Sequence, residues 1–139
     1  MAHLCVQYKT PMKDDLNQSF LELILPEGIL DHFEITGFEK GESGKYVYDK
    51  TLTIHLEEKN KIPEEYKTYR YKASGFMEAR QINDYPIRNM LVTLSVKRRR
   101  WDVEIDGKIK KVSRDWSLVA QGTRMSAEYA AFLKEISRF

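Results

Sequence analysis

Apolar residues recur at Leu16, Phe20, Leu23 and Ile24, the spacing that places side chains on one face of a helix. Asp14 or Asp15 stands just ahead, where a carboxylate satisfies free N–H groups and faces the positive end of the helix dipole. Pro26 stops that helix and suits the first turn of a second, short one, with Ile29, Leu30 and Phe33 as its buried side. The period then changes from 3.6 to 2. Residues 34–40 and 45–57 flank Gly41-Glu42-Ser43-Gly44, a good hairpin turn. In the second arm Tyr46, Tyr48, Leu52, Ile54 and Leu56 alternate on one face, interrupted by Lys50. Val47, Asp49, Thr51, Thr53 and His55 take the other face. Residues 58–72 are polar, contain Pro63, Tyr66, Tyr69 and Tyr71, and read as a loop or linker, partly helical at most.

The second half reads as a β-meander closed by a helix. Residues 75–82 form a strand, Asn83-Asp84-Tyr85-Pro86 a turn, and residues 89–105 a long strand. Asp106-Gly107 is a two-residue hairpin signal, after which residues 108–113 return. Residues 115–121 continue that strand or add another. Ser126 fits the N-cap of a last helix, with Glu128 in its first turn. Tyr129, Phe132, Leu133 and Ile136 then follow at i, i+3, i+4 and i+7. The expected fold class is α+β, with N-terminal helices, β-hairpins or a meander, and a C-terminal helix. Along the chain this gives a flexible start (1–13), a helix pair with a hairpin (14–60), a linker (61–72) and a basic meander with its helix (73–139). Residues 14–139 are expected to pack as one unit.

With 139 residues, 42% of them hydrophobic, the chain can build a real core in a single domain. No apolar run approaches the roughly 18 residues that span a bilayer, and residues 1–14 lack a signal peptide's apolar core. A cytoplasmic protein is expected. Cys5 is the only cysteine, which excludes an internal disulfide and a four-cysteine zinc site. Charge is unevenly spread. Residues 1–60 hold 6 Lys/Arg against 11 Asp/Glu, whereas residues 97–139 hold 11 against 6. A polyanion would therefore meet the C-terminal half.

Lys97-Arg98-Arg99-Arg100-Trp101 is the sharpest feature of that half. Four adjacent cations need water or an anion to neutralise them, and a phosphate backbone beside an aromatic ring is one solution. A solvated strand end that only keeps the protein soluble is the other. If the strand stays regular, Met90, Val92, Leu94 and Val96 face the core, and Thr93, Ser95, Lys97, Arg99 and Trp101 face out. Lys97 and Arg99 would then grip phosphate beside two hydroxyls. Arg98 and Arg100 would pair with Asp102, Glu104, Asp106 or Asp115. Trp101 and Trp116 are either core residues or, if exposed, platforms for base stacking. The primary nucleic-acid set is Lys97, Arg98, Arg99, Arg100 and Arg124, with Trp101 as a stacking or packing residue, and Lys108, Lys110, Lys111 and Arg114 form a secondary set.

Enzymatic chemistry finds no footing. His3, His32 and His55 lack metal-ligand spacing, the serines lack a nucleophile elbow, and the Gly41–Lys45 stretch is a turn rather than a phosphate loop. No nucleophile stands with a positioned base. No catalytic residues, metal or cofactor are expected.

Several blocks together carry a family resemblance. Ile24-Leu25-Pro26-Glu27-Gly28-Ile29-Leu30-Asp31-His32-Phe33 is followed in order by Asp84-Tyr85-Pro86-Ile87-Arg88, Lys97-Arg98-Arg99-Arg100-Trp101 and Arg114-Asp115-Trp116-Ser117-Leu118-Val119-Ala120. Gly122-Thr123-Arg124-Met125-Ser126 and Ala130-Ala131-Phe132-Leu133-Lys134-Glu135 complete the set. The ordered set resembles the N-terminal region of ISAon-type bacterial insertion-sequence transposases. That resemblance implies a non-catalytic segment that helps recognise the element's terminal DNA, with the catalytic part encoded separately downstream. The pattern also resembles a zinc-ribbon transposase front end that has lost its cysteines, residues 101–108 standing where the knuckle would be. It implies a metal-free ribbon closed by the Asp106-Gly107 turn and apolar packing. The alternative is a protein-interaction module docking on the catalytic transposase through Tyr129, Phe132, Leu133 and Ile136, without DNA contact of its own. One cysteine and scattered histidines predict no structural zinc. Elemental analysis finding about one zinc per chain, removable only with unfolding, would overturn that.

Overall fold

The computed structural model describes residues 15–44, 48–116 and 124–138. The chain divides into two compact units, residues 1–31 and 32–139. In the first, helix α1 covers residues 15–24, and the Leu25 N–H donates to the Leu21 carbonyl at its end. Gly28 then takes a left-handed conformation, φ 80°, and leads into the one-turn helix α2 (Ile29–His32). Ile29 and Leu30 are buried, as expected, whereas Leu16, Phe20 and Leu23 of α1 are exposed.

Among the described residues the second unit holds seven strands, an α-helix and a 3-10 turn (Glu64–Tyr66): β1 (Phe33–Glu42), β2 (Lys50–Glu58), β3 (Arg70–Phe76), β4 (Arg80–Ile87), β5 (Met90–Lys97), β6 (Arg99–Ile105), β7 (Lys108–Ser113) and α3 (Ala127–Ile136). They form two sheets, one ordered β1-β2-β5-β4 and one ordered β3-β6-β7. β2 and β5 run parallel, and every other pair is antiparallel. The fold is α+β.

β5 and β6 are consecutive in the chain yet belong to different sheets, and Arg98 is the corner between them. Alternation explains the break. Val92, Leu94 and Val96 are buried at even positions, whereas Trp101 and Val103 are buried at odd ones. A single straight strand cannot bury both sets, because one residue of slip sends a side chain to the opposite face. The long strand expected over residues 89–105 is therefore two strands, and the expected single meander is two sheets. The first sheet buries Phe33, Ile54, Leu56, Ile82, Val92, Leu94 and Val96. The second gathers Ile62, Trp101, Val103 and Val112, with Tyr66 and Ile105 packed against them.

Other boundaries move for identifiable reasons. Asn83-Asp84-Tyr85-Pro86 is strand rather than turn. Its turn-forming groups are used elsewhere: the Asn83 backbone pairs with Arg124 and Ser126, and the Asp84 carboxylate accepts from Ser126. Pro86 falls at the register irregularity between Asp84 and Ile87. The turn itself is Arg88-Asn89, with Arg88 at φ 55° and Ile87 paired with Met90. The expected strand at 75–82 is interrupted between β3 and β4. The expected linker at 61–72 contains buried Ile62 and Pro63, and β3 begins inside it at Arg70. The strand of the expected hairpin at 45–57 and the basic half share one sheet, since β2 pairs directly with β5. Asp106-Gly107 is the expected turn, with φ of 53° and 76°. Both are positive, as a two-residue turn matched to strand twist requires. The Ser126 hydroxyl caps α3 by accepting from the Tyr129 N–H. Asp14, Tyr46, Val47 and residues 117–123, and with them the expected flexible start and the 115–121 strand beyond Trp116, lie outside the described residues.

Trp101 is 0% exposed and its indole N–H donates to Asn60 Oδ1 at 2.8 Å, so its one polar group is satisfied inside the core. Phe132 is 45% exposed. Trp101→Ala is therefore expected to cost about 3–5 kcal/mol, and Phe132→Ala well under half of that. Chemical denaturation midpoints of the two variants check the order.

Candidate nucleic-acid interface

The cationic corner is built around one buried acid. Glu58 ends β2 on its core face, two residues after Leu56, and is only 1% exposed. Its Oε1 accepts from the Arg99 backbone N–H at 2.9 Å, and its Oε2 accepts from Arg114 Nε at 3.3 Å. The Glu58 carbonyl accepts from Arg99 Nε at 3.2 Å. Arg114 also donates to the Lys61 carbonyl at 2.6 Å, and Arg98 donates to the Arg114 carbonyl at 2.6 Å. The Arg99 guanidinium lies 4.4 Å from the centroid of the Phe76 ring, a cation–π contact.

These contacts revise the expected roles within the basic run. Arg98 does not pair with Asp102, Glu104, Asp106 or Asp115; it binds a carbonyl across the corner. Arg99 does not point freely outward beside Lys97; it is held by Glu58 and Phe76. Arg114 is likewise an internal fastener. Trp101, fully buried, is removed from any base-stacking role, because the slip at Arg98 turns it inward. Trp116 packs at a tilt against Phe33, with centroids 4.9 Å apart, and meets His32 edge-on at 5.3 Å. Ser95 is buried and accepts from Gln81 Nε2 at 3.0 Å. Lys97 keeps its exposed position. Arg100 is half-buried, and its Nε has no hydrogen-bond partner among the described residues.

Further exposed cations lie on the sheet of β3, β6 and β7. Arg70, Lys72, Lys108, Lys110 and Lys111 are exposed there. Register places Arg70 beside Glu104 and Lys72 beside Asp102 on one face, with Ile109 and Lys111 on the far side of the same rows. Lys108 and Lys110 pair with Ile105 and Val103 and so begin on the other face of edge strand β7. Lys111 Nζ donates to Asp102 Oδ1 at 3.0 Å and to Ser74 Oγ at 2.8 Å. That hydrogen bond holds the Asp102 carboxyl below its ordinary value, and the charge of Lys72 adds to the effect. Arg70 and Lys72 were missed by sequence reasoning because their segment reads as linker. The tyrosine at 71 between two cations was the available signal of an extended strand.

Arg124 is exposed and leads into α3. Its carbonyl accepts from the Asn83 N–H at 2.7 Å, so its position is fixed by β4, in the other sheet. Beside it the Ser126 hydroxyl donates to Asp84 Oδ1 at 2.7 Å. Burial pushes the Asp84 carboxyl above its ordinary value, and the Ser126 hydrogen bond offsets part of that. On α3 the stripe divides. Tyr129 and Phe132 meet the Tyr85 ring at 5.2 and 5.4 Å, and Leu133 is half-buried. Ile136 is 49% exposed.

Among the described residues no group of three or more His, Cys, Asp or Glu side chains could hold a metal ion, and no helix is long and apolar enough to cross a membrane. Comparison of the chain with family models, curated proteins and solved structures finds no match.

The corner makes a stability prediction. Removing one partner of a buried ion pair strands the other, at about 3–5 kcal/mol, whereas an exposed pair contributes about 0–1 kcal/mol. Glu58→Ala is expected to fall in the first range. Glu64→Ala, which removes the exposed pair to Lys67 at 2.8 Å, should fall in the second. Urea titrations of both variants measure the difference.

Proposed function

We propose that this chain is a non-catalytic DNA-binding segment of an insertion-sequence transposase, working in the cytoplasm beside a separately encoded catalytic chain. The observation that carries the reading is the set of exposed cations on the three-stranded sheet, Arg70, Lys72 and Lys111 on one face and Lys108 and Lys110 on the other face of edge strand β7. Exposed cations attract a phosphate backbone without regard to sequence and release its counterions. The ordered sequence blocks that resemble ISAon-type transposases supply the biological setting. Lys97 and Arg124 remain candidate phosphate contacts at the margins of this surface. Arg98, Arg99 and Arg114 serve it indirectly by holding the corner from which β6 departs.

Exposure of Phe132 and Ile136 favours a second role for α3, docking on the catalytic transposase. The contacts of Tyr129 and Phe132 with Tyr85 leave only part of the stripe for that purpose.

Neutralising about four phosphates on B-DNA gives a slope of roughly −3.6 in log affinity against log salt. Replacing Lys108 and Lys110, which share one face of β7, with alanine should flatten the slope by about 1.8 and weaken all sequences alike. Arg99→Ala should lower stability more than it alters the slope. Fluorescence anisotropy across a salt series decides, and absence of binding to any duplex at low salt would sink the reading.

A further inference from the structure

Arg100 sits at an irregularity of the second sheet. Ala73 pairs with Trp101 and Phe76 with Arg99, so Ser74 and Gly75 together oppose Arg100 alone. This is a β-bulge, an extra residue that bends one strand and re-aims side chains, and such bulges recur beside functional sites. Gly75 takes φ 86° there, and a Cβ added to it would meet no atom within 4 Å. β3 thus sets only a serine and a glycine opposite the arginine, and no large side chain crowds it from that strand. On its other side Arg100 pairs with half-buried Ser113 of β7, which shares its face of the sheet.

The arginine is half-buried, and its covered Nε has no hydrogen-bond partner among the described residues. Asp102, two residues along the same face, is engaged by Lys111 at 3.0 Å, and no described carboxylate forms an ion pair with Arg100. Its neighbours in the basic run differ: the Arg98 and Arg99 guanidiniums bind the Arg114 and Glu58 carbonyls. A cation partly withdrawn from water is costly unless an acceptor neutralises it. With Nε covered, the part of the fork that can reach a ligand is its pair of Nη groups, which suits two oxygens of one oxyanion. In the next row Lys72 and Lys111 flank a single acid, Asp102, so the surroundings are net positive.

We infer that Arg100 and Ser113 form an oxyanion site that takes one phosphoryl group, the guanidinium fork gripping two of its oxygens and the Ser113 hydroxyl donating to a third. A backbone phosphate of DNA and free orthophosphate share this chemistry. The inference rests on the DNA reading above for the first of these sources, and it adds the place where one phosphate is fixed. The exposed lysines supply diffuse attraction, and Arg100 supplies a defined position.

The covered Nε–H of Arg100 is shielded from solvent exchange and so reports the site by NMR, its cross-peak being the one missing from Arg100→Lys. In the wild-type protein inorganic phosphate should move that cross-peak saturably, and chloride at matched ionic strength should not. The Arg99 cross-peak, held by the Glu58 carbonyl, should stay in place under both. A short duplex should move the Arg100 cross-peak as well, and Arg100→Gln should flatten the salt slope of duplex binding by about 0.9, the share of one contact. Equal responses to phosphate and chloride would overturn the site, and duplex binding measured by anisotropy in that case would leave the DNA reading intact. A phosphate response without any duplex binding would support the site, assign it to the free ion and overturn the DNA reading.

Discussion

The buried carboxylate of Glu58 is the constraint on which the second unit depends. A carboxylate at 1% exposure is costly unless it is hydrogen-bonded, and here a backbone N–H and a guanidinium each donate to one of its oxygens. Both donors belong to the later part of the chain. Glu58 therefore ties the end of β2 to the first residue of β6 and to the segment just past β7. The acid helps fix the corner at Arg98, together with the Met77 N–H that donates to the Arg98 carbonyl at 2.7 Å and the Arg98 guanidinium that donates to the Arg114 carbonyl at 2.6 Å.

The same arrangement separates two uses of arginine and lysine. Arginine offers a planar fork of donors that suits carbonyls and carboxylates in a confined space, whereas lysine is a strongly hydrated point charge on a flexible stem. At this corner Arg98, Arg99 and Arg114 bind inward to Glu58, to carbonyls and to the Phe76 ring. Lys97, Lys108 and Lys110 stay in solvent. A run of four cations thus mixes a structural clamp with a surface charge.

Much of the fold was legible in the pattern of side chains. The burial of Ile54 and Leu56, the Asp106-Gly107 turn, β7 and the Ser126 cap all follow from local chemistry, and local chemistry decides them. The sheet partners were not legible. Nothing within residues 50–58 says that β2 pairs in parallel with a strand more than 30 residues later. Glu58 could have been noticed, because it continues the alternation of Leu52, Ile54 and Leu56 onto the buried face. Local sequence places it at the start of a polar loop, because an acid on that face needs partners that are distant in sequence. Trp101 was misassigned for the mirror-image reason: its strand was extended through a corner that only long-range contacts impose. The site inherited both errors, so cations expected at residues 98–99 are displaced to β3 and β7.

The parallel pairing of β2 with β5 also bears on synthesis. β2 emerges from the ribosome with β1 on one side, but its other edge waits for β5, roughly 40 residues later. At about 5–20 residues per second, that edge, with Leu52, Ile54 and Leu56 along it, stays unpaired for roughly 2–8 s. An open strand edge beside apolar side chains is a template for pairing with other chains. The nascent protein passes through an interval in which a strand destined for the interior of its sheet is an adhesive surface, and the yield of folded protein depends on how crowded that interval is.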